Sequence, residues 1–433
     1  MSPIEIGILG VIALFVLMFL GMHIGIAMGI VSIVGLVFIT NLDGTLLRLG
    51  QTGFSTTASY TLAVLPLFML MGEFAFLSGL TQEAYATTYR WLGHLPGGLA
   101  MATILGCAGF AAVCGSSIAT TTTIGAVALP EMRKYKYSPT LSIGSIAAGG
   151  TLGILIPPSG GFLIYGIITE QSIGKLFLAG IIPGILLSVL FIITVYILAK
   201  VNPLIGPKGP KSTWGERIGA LKDIWGVAIL FLVVMGGIYS GVFTPTEAAA
   251  VGALCAFLVG LVKRRLTLKN IKDSLINMTV TTGMVFVILI GAFLFGYFMA
   301  ASRLTAVLAA FVAGLPFSPV LILVCILILF LILGCVMDPY AMLLIVVPIL
   351  FPVIMNLGLD PIWFAVLVVL MMELGMITPP VGMNVFIMRG VAKDVPMYTI
   401  FKGLTPFVVA MVICVVLVIV FPDIALFLPN SMK

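Results

Sequence analysis

Residues 153–160 read GILIPPSG, and residues 375–382 read GMITPPVG. Both fit the pattern G-x3-P-P-x-G, and their first glycines, Gly153 and Gly375, define an offset of 222 (375 − 153) between the two motifs. A Pro-Pro pair removes two backbone donors and clashes with the preceding turn, so a helix ends there. Each pair interrupts a long apolar stretch, at 139–168 and at 361–388. The two stretches therefore predict two broken helices of the same design.

Two further apolar stretches, 98–132 and 319–355, are interrupted in the middle by small or polar residues. The first contains CGSS at 114–117, and the second contains MDP at 337–339. Each stretch exceeds the length of one span, which needs about 20 apolar residues, and is too broken for two ordinary spans. A helix that enters the membrane can turn at such a point and leave on the same side. The pattern predicts two re-entrant helical hairpins.

These matching interruptions predict that the chain consists of two repeats. The same offset places Ser116 over Asp338, and it is close to half of the 433-residue chain. We expect repeat 1 at 1–200, a cytoplasmic linker with prolines and lysines at 201–222, and repeat 2 at 223–433.

The composition requires a membrane environment. Hydrophobic residues make up 61% of the chain and charged residues 8%, whereas soluble domains carry about 25% charged residues. The near-continuous apolar sequence leaves room for about ten or more spans. The predicted fold class is therefore an all-α polytopic membrane protein.

The basic residues predict its orientation. If the N-terminus lies outside and each hairpin returns to its own side, 17 of the 21 Lys and Arg residues fall inside. The four outside are Arg48, Lys175, Arg303 and Lys433. This asymmetry fits the positive-inside rule, places both termini outside, and makes the two repeats inverted. The polar stretches 81–97 and 264–278 are predicted to lie along the cytoplasmic interface as connecting arms.

Several classes of function have no signature in the sequence. The six cysteines lie singly in apolar runs, only two histidines occur, and no GxSxG, HExxH or Walker A motif is present. The formal charge of +6 includes no basic stripe of the kind that binds nucleic acid. We therefore expect no enzyme activity, no cofactor and no nucleic-acid partner.

Inverted repeats with discontinuous helices are typical of secondary transporters, whose sites lie near the membrane midplane. Broken helices present positive N-terminal ends to an anion and free carbonyls to a cation. Four breaks that converge around one axis therefore predict transport driven by an ion gradient. Na⁺ suits such oxygen ligands and needs no titrating carboxylate.

Polar residues in these apolar stretches are candidate site residues. Ser116 and Asp338 fit helix N-caps, and a carboxylate at membrane depth is a functional hypothesis by default. Asn384, just beyond the second Pro-Pro pair, is a candidate for a hydrogen bond to substrate. Glu73 and Glu373 either carry protons or bond to broken-helix amides, and we favour the structural role.

Four motifs together resemble one family. They are GSSxAT at 115–120, GTLGILIPPS at 150–159, FTPTEAAA at 243–250 and GMITPPVGMN at 375–384. They resemble the large membrane (M) subunit of TRAP transporters, the tripartite ATP-independent periplasmic transporters, over essentially the whole chain. Because no small-subunit helices precede the first span, an unfused subunit is expected. The resemblance implies the ion-transporter-superfamily fold and an elevator mechanism, in which outer helices hold a transport domain of hairpins and broken helices.

The resemblance also implies partners and a cargo. It implies Na⁺ coupling, a separate small membrane subunit (Q), and a periplasmic binding protein (P) that delivers the substrate at the bacterial inner membrane. The expected substrate is a small organic anion, such as a C4-dicarboxylate, a sialic acid or a sulfonate. Two alternatives remain: a stand-alone carrier of the same superfamily, and a non-transporting membrane scaffold or channel, which leaves the matched helix breaks unexplained.

Site residues follow from the same resemblance. One sodium site is expected to use Ser116 and Ser117 with carbonyls around Gly153, Ile156 and Pro157. A second is expected to use Met337 and Asp338 with carbonyls around Gly375, Thr378, Pro379 and Met383. The substrate is expected between them, near Ser117, Thr120, Gly160 and Asn384.

Overall fold

The computed structural model describes residues 1–432, apart from the side chain of Ala313, and within these residues it contains helices and no strands. Lys433, one of the four basic residues predicted outside, lies outside the described residues. The all-helical fold class is confirmed for the described chain. Short connections join most helices, as expected when every backbone polar group must be paired inside a bilayer.

The helices of the N-terminal half are α1 (Pro3–Phe19), α2 (Ile24–Ile39), α3 (Leu42–Thr57), α4 (Val64–Leu77), α5 (Leu80–Leu92), α6 (Gly98–Cys114), α7 (Ser117–Lys134), α8 (Pro139–Gly150), α9 (Leu152–Leu155), α10 (Gly160–Thr169) and α11 (Ile173–Val201). A 3-10 turn at Thr61–Ala63 precedes α4, and α12 (Trp214–Leu221) lies in the linker. The helices of the C-terminal half are α13 (Trp225–Tyr239), α14 (Pro245–Val262), α15 (Leu268–Ala301), α16 (Leu304–Ala313), α17 (Pro319–Gly334), α18 (Pro339–Asn356), α19 (Pro361–Met376), α20 (Met383–Val391), α21 (Met397–Val420) and α22 (Asp423–Ser431).

Helix bounds recur at the offset found in the sequence. Helix α7 begins at Ser117 and ends at Lys134, and α18 begins at Pro339 and ends at Asn356, so both bounds are shifted by that offset. The starts of α8 and α19 are shifted by the same amount, and the starts of α10 and α20 differ from it by one position. In chain order, α1, α2, α5, α6 and α11 correspond in the same way to α13, α14, α16, α17 and α21. The pair α3–α4 corresponds to the single helix α15, and α8–α9 corresponds to α19.

The chain is a multi-pass membrane protein. Six described helical segments, with α8 to α10 counted as one, are long and apolar enough to span a bilayer, and two pairs bent by 54° and 44° raise the number to eight if each pair is one span. Large apolar side chains such as Phe19, Phe38 and Phe54 are exposed on the surface. Such a surface is stable against lipid and not against water.

Of the two predicted arms, one contains a separate helix and the other does not. Residues 264–278 do not form a separate helix, because Thr267 caps α15, which continues from Leu268 to Ala301 without a break. Helix α3, with Asp43 and Arg48 among many threonines, was not predicted, since it has no apolar run. Helix α5 begins one residue before the other predicted arm, 81–97, covers most of it and packs against α6.

Helices pack in two groups. The hairpin helices α6, α7, α17 and α18 pack against the broken helices, whereas α2 packs against α15 and α4 against α14. Glycines allow the second group to approach closely: a Cβ on Gly25 would lie 2.7 Å from the Cα of Ile288. Small residues of this kind are the usual means of close helix packing in membranes. Hereafter α1–α4 and α13–α15 are called the outer helices.

Candidate functional site

The first hairpin turns over two residues between α6 and α7. Gly115 has φ +67°, a left-handed conformation that favours glycine. The Oγ of Ser116 accepts a hydrogen bond from the amide of Ala119 at 3.3 Å, so the predicted N-cap is confirmed. The hydroxyl of Thr120 donates back to the Ser116 carbonyl at 2.8 Å. These contacts fix a compact polar tip between two apolar helices.

The first tip lies against the first Pro-Pro break. The amide of Gly160 donates to the Gly115 carbonyl at 3.2 Å. A Cβ on Gly153 would lie 2.6 Å from the Ser116 carbonyl oxygen and 2.8 Å from the Cα of Ser117. Only glycine permits this approach, which brings the hairpin backbone against the end of the broken helix.

The break itself is held by a serine. Helix α9 ends at Leu155, the Pro157-Pro158 bond is cis, and α10 begins at Gly160. The Oγ of Ser159 accepts from the amide of Phe162 at 3.3 Å, and its hydroxyl donates to the Ile154 carbonyl. Sequence reasoning missed Ser159 as a site residue, although a serine directly before a helix start is a recognisable N-cap signal.

The second tip is built on a carboxylate. The Oδ1 of Asp338 accepts from the amides of Tyr340 at 3.0 Å and Ala341 at 3.2 Å, which confirms the predicted N-cap. Behind this tip, a Cβ on Gly375 would lie 2.5 Å from the carbonyl carbon of Gly334. The second hairpin therefore contacts the second broken helix through a glycine, as the first hairpin does.

A cavity of about 1180 Å³ lies between the two tips and the outer helices. The predicted site residues that line it are Ser116, Gly160, Met337 and Asp338. Polar residues from several helices complete the wall: His23, Glu73, Thr122, Thr123, Ser159, Asn277, Thr281 and Tyr340. The cavity thus brings together one predicted residue set from each half of the chain.

Three predicted substrate residues lie behind this wall. Ser117, Thr120 and Asn384 are fully buried, and they are not among the residues that line the cavity. Ser117 Oγ donates to Glu373 Oε1 at 2.8 Å, and Asn384 Nδ2 donates to the Ala147 carbonyl at 3.2 Å. Their polar groups therefore bond inside the helix bundle.

The other predicted ligand positions also lie in the breaks, off the cavity surface. Gly153, Ile156 and Pro157 stand behind the first tip, and the hydroxyl of Thr378 donates to the Leu374 carbonyl at 2.6 Å. Gly375 lies behind the second tip, against Gly334, whereas Pro379 is exposed and Met383 is the first residue of α20. The Gly375 carbonyl accepts a hydrogen bond from the amide of Thr378 at 3.2 Å.

Tyr340 connects the two halves at the cavity. Its hydroxyl oxygen would lie 2.6 Å from a Cβ on Gly160, so the second hairpin reaches the first break. Sequence reasoning missed Tyr340 and also Asn277, which lies in the stretch interpreted as an arm. Neither residue stands in a local motif, and only the packing of distant helices places them in the wall.

The ionisable side chains of the cavity wall are mainly acidic. Its described residues include the carboxylates of Glu73 and Asp338 and the ring of His23, and no lysine or arginine. Within residues 1–432, no group of three or more His, Cys, Asp or Glu side chains is arranged to hold a metal ion. The available donors are single carboxylates, hydroxyls and carbonyls, which are hard oxygen ligands.

Comparison with known proteins identifies the family. The family described as "Tripartite ATP-independent periplasmic transporter, DctM component" matches residues 11–424. The C4-dicarboxylate TRAP transporter large permease protein DctM of Pseudomonas aeruginosa is 38% identical, over 87% of this chain and 88% of that protein. The sialic acid TRAP transporter large permease protein SiaM of Vibrio cholerae is 33% identical, over 96% of both.

A solved structure shares the fold. The YdaH transporter of Alcanivorax borkumensis superimposes with a TM-score of 0.67, at 17% identity, over 88% of this chain and 89% of that one. At this identity the likeness concerns the fold alone. The family match and the two relatives cover most of the chain in sequence, and both relatives are permeases. The chain belongs to the DctM family of TRAP transporter large permease subunits.

Proposed function

We propose that the chain is the translocating subunit of a Na⁺-coupled importer of a small organic anion: a C4-dicarboxylate, a sialic acid or a sulfonate. The observation that carries this proposal is one cavity reached by both hairpin tips, with Ser116 from one half and Asp338 from the other. The family supplies the transport activity. The cavity and the tips supply the place where ion and solute meet.

The two halves, 1–200 and 223–433, act in this proposal as inverted repeats joined by the linker 201–222. Crosswise packing supports this: α7 packs against α20, and their counterparts α18 and α10 pack against each other. Likewise α2 packs against α15, and their counterparts α14 and α4 pack together. Exchanging the halves leaves each pair of contacts in place, as a pseudo-twofold axis requires.

The orientation of the chain in the membrane is proposed from the contacts that the linker makes at one end of the helix bundle. The amide of Gly97 donates to the Gly206 carbonyl at 2.9 Å, and the amide of Ser138 donates to the Ile205 carbonyl at 3.0 Å. Arg90 and Asp223 form an ion pair at 3.5 Å beside them. The linker thus lies with the basic ends of α5 and α7, which the positive-inside rule places in the cytoplasm. Both termini are then periplasmic.

Sodium ions are proposed to bind where each tip meets its break. The glycine contacts described above bring tip and break within backbone contact, and each break leaves carbonyls without helical partners. The first site takes Ser116 and Ser117 with carbonyls around Gly153, Ile156 and Pro157. The second takes Met337 and Asp338 with carbonyls around Gly375, Thr378, Pro379 and Met383.

The substrate anion is proposed to bind in the cavity beside Gly160. Since no lysine or arginine is among its described wall residues, the negative charge must be held by other means. Helices α7 and α10 begin at the cavity, and helix N-termini carry a partial positive charge that favours anions. Bound Na⁺ would add to this charge. Ser117, Thr120 and Asn384 would then support the site from behind.

An elevator movement is proposed to carry the cavity across the membrane. The mobile unit comprises the hairpins and broken helices, which pack against one another across the two halves. The static unit comprises the outer helices, which pair among themselves. The cavity lies between these units, because Glu73 and Asn277 from the outer helices face Ser116 and Asp338 from the tips. Sliding at this surface would expose it to either side.

The partners follow from the family and are part of the proposal. A separate small membrane subunit would bind the static unit, and a periplasmic binding protein would deliver the substrate. The location is the bacterial inner membrane. Uptake of free substrate by this chain alone, at a rate unchanged by added binding protein, would instead favour a stand-alone carrier.

The experiment that tests sodium binding is a thermal-shift titration of the purified protein with NaCl, KCl and choline chloride at equal ionic strength. A ligand that binds only the folded state raises its stability in a saturable manner. We expect a saturable shift with Na⁺ alone, reduced in Ser116→Ala and Asp338→Ala. An equal response to all three salts would contradict sodium coupling and make Glu73 and Glu373 the residues to test for proton coupling.

A further inference from the structure

Three fully buried oxygen atoms between the first hairpin and the second broken helix have no hydrogen-bond partner. They are Oε2 of Glu373, Oγ1 of Thr121 and Oδ1 of Asn384. Burial of a polar atom without a partner is unfavourable, and burial of an unpaired charge is far more so. Their common location suggests one missing partner for all three.

The direction of two helices brings Thr121 and Asn384 together. A Cβ on Gly125 of α7 would lie 3.3 Å from the Sδ of Met388 on α20. Farther along α7, Arg133 pairs with Asp394, which lies three residues beyond the end of α20, at 2.6 Å. Helices α7 and α20 therefore run in the same direction. Thr121 and Asn384 each lie four residues, or about one turn, before the Gly125–Met388 contact on the same faces of these helices.

Contacts with helix α8 also place the side chains of Thr121 and Asn384 near each other. Position Gly150 lies directly against the hydroxyl of Thr121. Asn384 Nδ2 donates to the carbonyl of Ala147 at 3.2 Å, and a helical carbonyl points along the axis toward the following turn. Both side chains thus meet the same turn of α8, from α7 on one side and from α20 on the other.

Glu373 joins this group through Ser117. The Ser117 hydroxyl donates to Glu373 Oε1 at 2.8 Å, and Ser117 lies one helical turn before Thr121, on the same face of α7. Among the described residues, no Lys, Arg or His forms an ion pair with Glu373. The contacts through Ser117 and α8 thus place the three free oxygens in one region of the bundle.

We propose that Glu373, Thr121 and Asn384 bind one Na⁺ ion inside the hairpin bundle, deeper than the first tip site, whose proposed ligand Ser117 bonds Glu373. This inference rests on the proposed sodium coupling and adds an ion to it. A monovalent cation balances the single buried carboxylate, and the hydroxyl and amide oxygens complete a hard ligand set. The ion supplies the partner that all three oxygens otherwise lack.

The site occurs in one half only. At the offset between the repeats, Thr151 replaces Glu373, Leu343 replaces Thr121 and Phe162 replaces Asn384. Leu343 and Phe162 are fully buried, and the Thr151 hydroxyl already donates to the Ala148 carbonyl at 2.6 Å. The counterpart position therefore has no carboxylate and no free oxygen. The proposed ion is single and breaks the symmetry of the halves.

The test is equilibrium binding of ²²Na⁺ to the purified full chain in detergent, with stoichiometry and affinity measured for each variant. Glu373→Gln keeps the shape and removes the charge, and we expect one fewer bound ion per chain. Thr121→Val removes one ligand, and we expect the affinity for one ion to fall by about fivefold or more. The control is Thr194→Val, whose hydroxyl bonds only its own helix, to Leu190 at 2.8 Å; it should leave binding unchanged.

The outcomes separate this inference from the proposed function. Unchanged stoichiometry in Glu373→Gln with unchanged affinity in Thr121→Val, while Asp338→Ala loses an ion, would overturn the inner site and leave sodium coupling in place. No specific ²²Na⁺ binding by the wild-type chain would overturn both. If Glu373→Gln fails to fold, the affinity of Thr121→Val decides alone.

Discussion

The second helices of the two hairpins, α7 and α18, have the same bounds at the offset of 222, but the two tips make different contacts. At the first tip, Ser117 donates across the halves to Glu373. At the second tip, Pro339 occupies the position of Ser117, and the carboxylate of Asp338 caps its own helix. A buried hydrogen bond thus joins the first tip to the opposite half of the chain. At the second tip, the carboxylate of Asp338 lines the cavity.

Burial follows the same division. Helix α6 has 13 buried residues out of 17, whereas α17 has 6 out of 16. The cause lies in the neighbouring helix: α5 packs on α6, but its counterpart α16 packs on α18. Regions with fewer buried contacts open at lower free energy. We therefore expect the second hairpin to be the more mobile of the two, although their sequences predict equivalent structures.

The largest effect is expected at the second tip. Asp338→Ala removes the cavity carboxylate and the helix cap together, and losing a charged ligand of this kind costs about 2–5 kcal/mol. Sodium-driven uptake should fall by about 30-fold or more, as measured in proteoliposomes.

Asp360→Ala is the matched control for this prediction. Asp360 also precedes a proline and caps its helix, accepting from the amides of Ile362 at 2.8 Å and Trp363 at 2.9 Å. Its loss should cost about 1 kcal/mol of stability, as for other N-caps, and spare uptake. Equal loss of uptake in both variants would show that Asp338 acts only as a cap.

At the first tip, Ser117→Ala leaves the Glu373 carboxyl without its donor. The expected penalty is about 1–3 kcal/mol, or about 5- to 150-fold in uptake or sodium affinity. Ser188→Ala is the control, because its buried hydroxyl bonds only its own helix, to Gly184 at 2.8 Å. If both variants behave alike, the bond between the halves has no functional role.

The next prediction concerns Gly153, which contacts the backbone of the first tip. Gly153→Ala places a methyl group within 3 Å of the Ser116–Ser117 backbone, and overpacking of this kind costs about 1–3 kcal/mol. A lower thermal midpoint should accompany weaker sodium binding. Gly29→Ala, with no atom within 4 Å of the new methyl group, should leave both measurements unaffected. A normal midpoint in Gly153→Ala would contradict the close approach of tip and break.

The smallest effect is expected at the C-terminal end of α7. Arg133 donates to Asp394 and lowers the pKa of that exposed carboxyl below its usual value. Its contribution is therefore present at neutral pH and is lost as the pH falls through the lowered pKa. Asp394→Asn should change the thermal midpoint slightly at pH 7 and not at all at the lowest pH at which the fold persists. A large change at pH 7 would mean that this pair does more than join two surface ends.

Local chemistry made part of this structure predictable. The Pro-Pro breaks, the turns at Gly115 and Asp338, and their N-caps follow from residues within one turn of each other. Helix α3 escaped prediction because it is polar yet contains nothing that breaks a helix, and the predicted arm at 264–278 continues into α15 for the same reason. Neighbouring residues in the sequence therefore predict where helices end, but they do not predict which other helices each one contacts.

The long-range part of the site escaped prediction. The bond between Ser117 and Glu373 joins residues 256 positions apart, and Tyr340 meets Gly160 only through the packing of α18 on α10. No spacing rule links such positions. The sequence therefore indicated the pieces of the cavity but not which polar groups line it and which lie behind it.

Uptake tests the central claim most directly. The chain is reconstituted in proteoliposomes with a small TRAP membrane subunit, and radiolabelled succinate, N-acetylneuraminate and isethionate are each offered with a periplasmic binding protein. An inward Na⁺ gradient should drive accumulation of at least one of these anions, with no accumulation under an equal K⁺ gradient. Equal accumulation under both gradients would contradict sodium coupling at the paired hairpin tips.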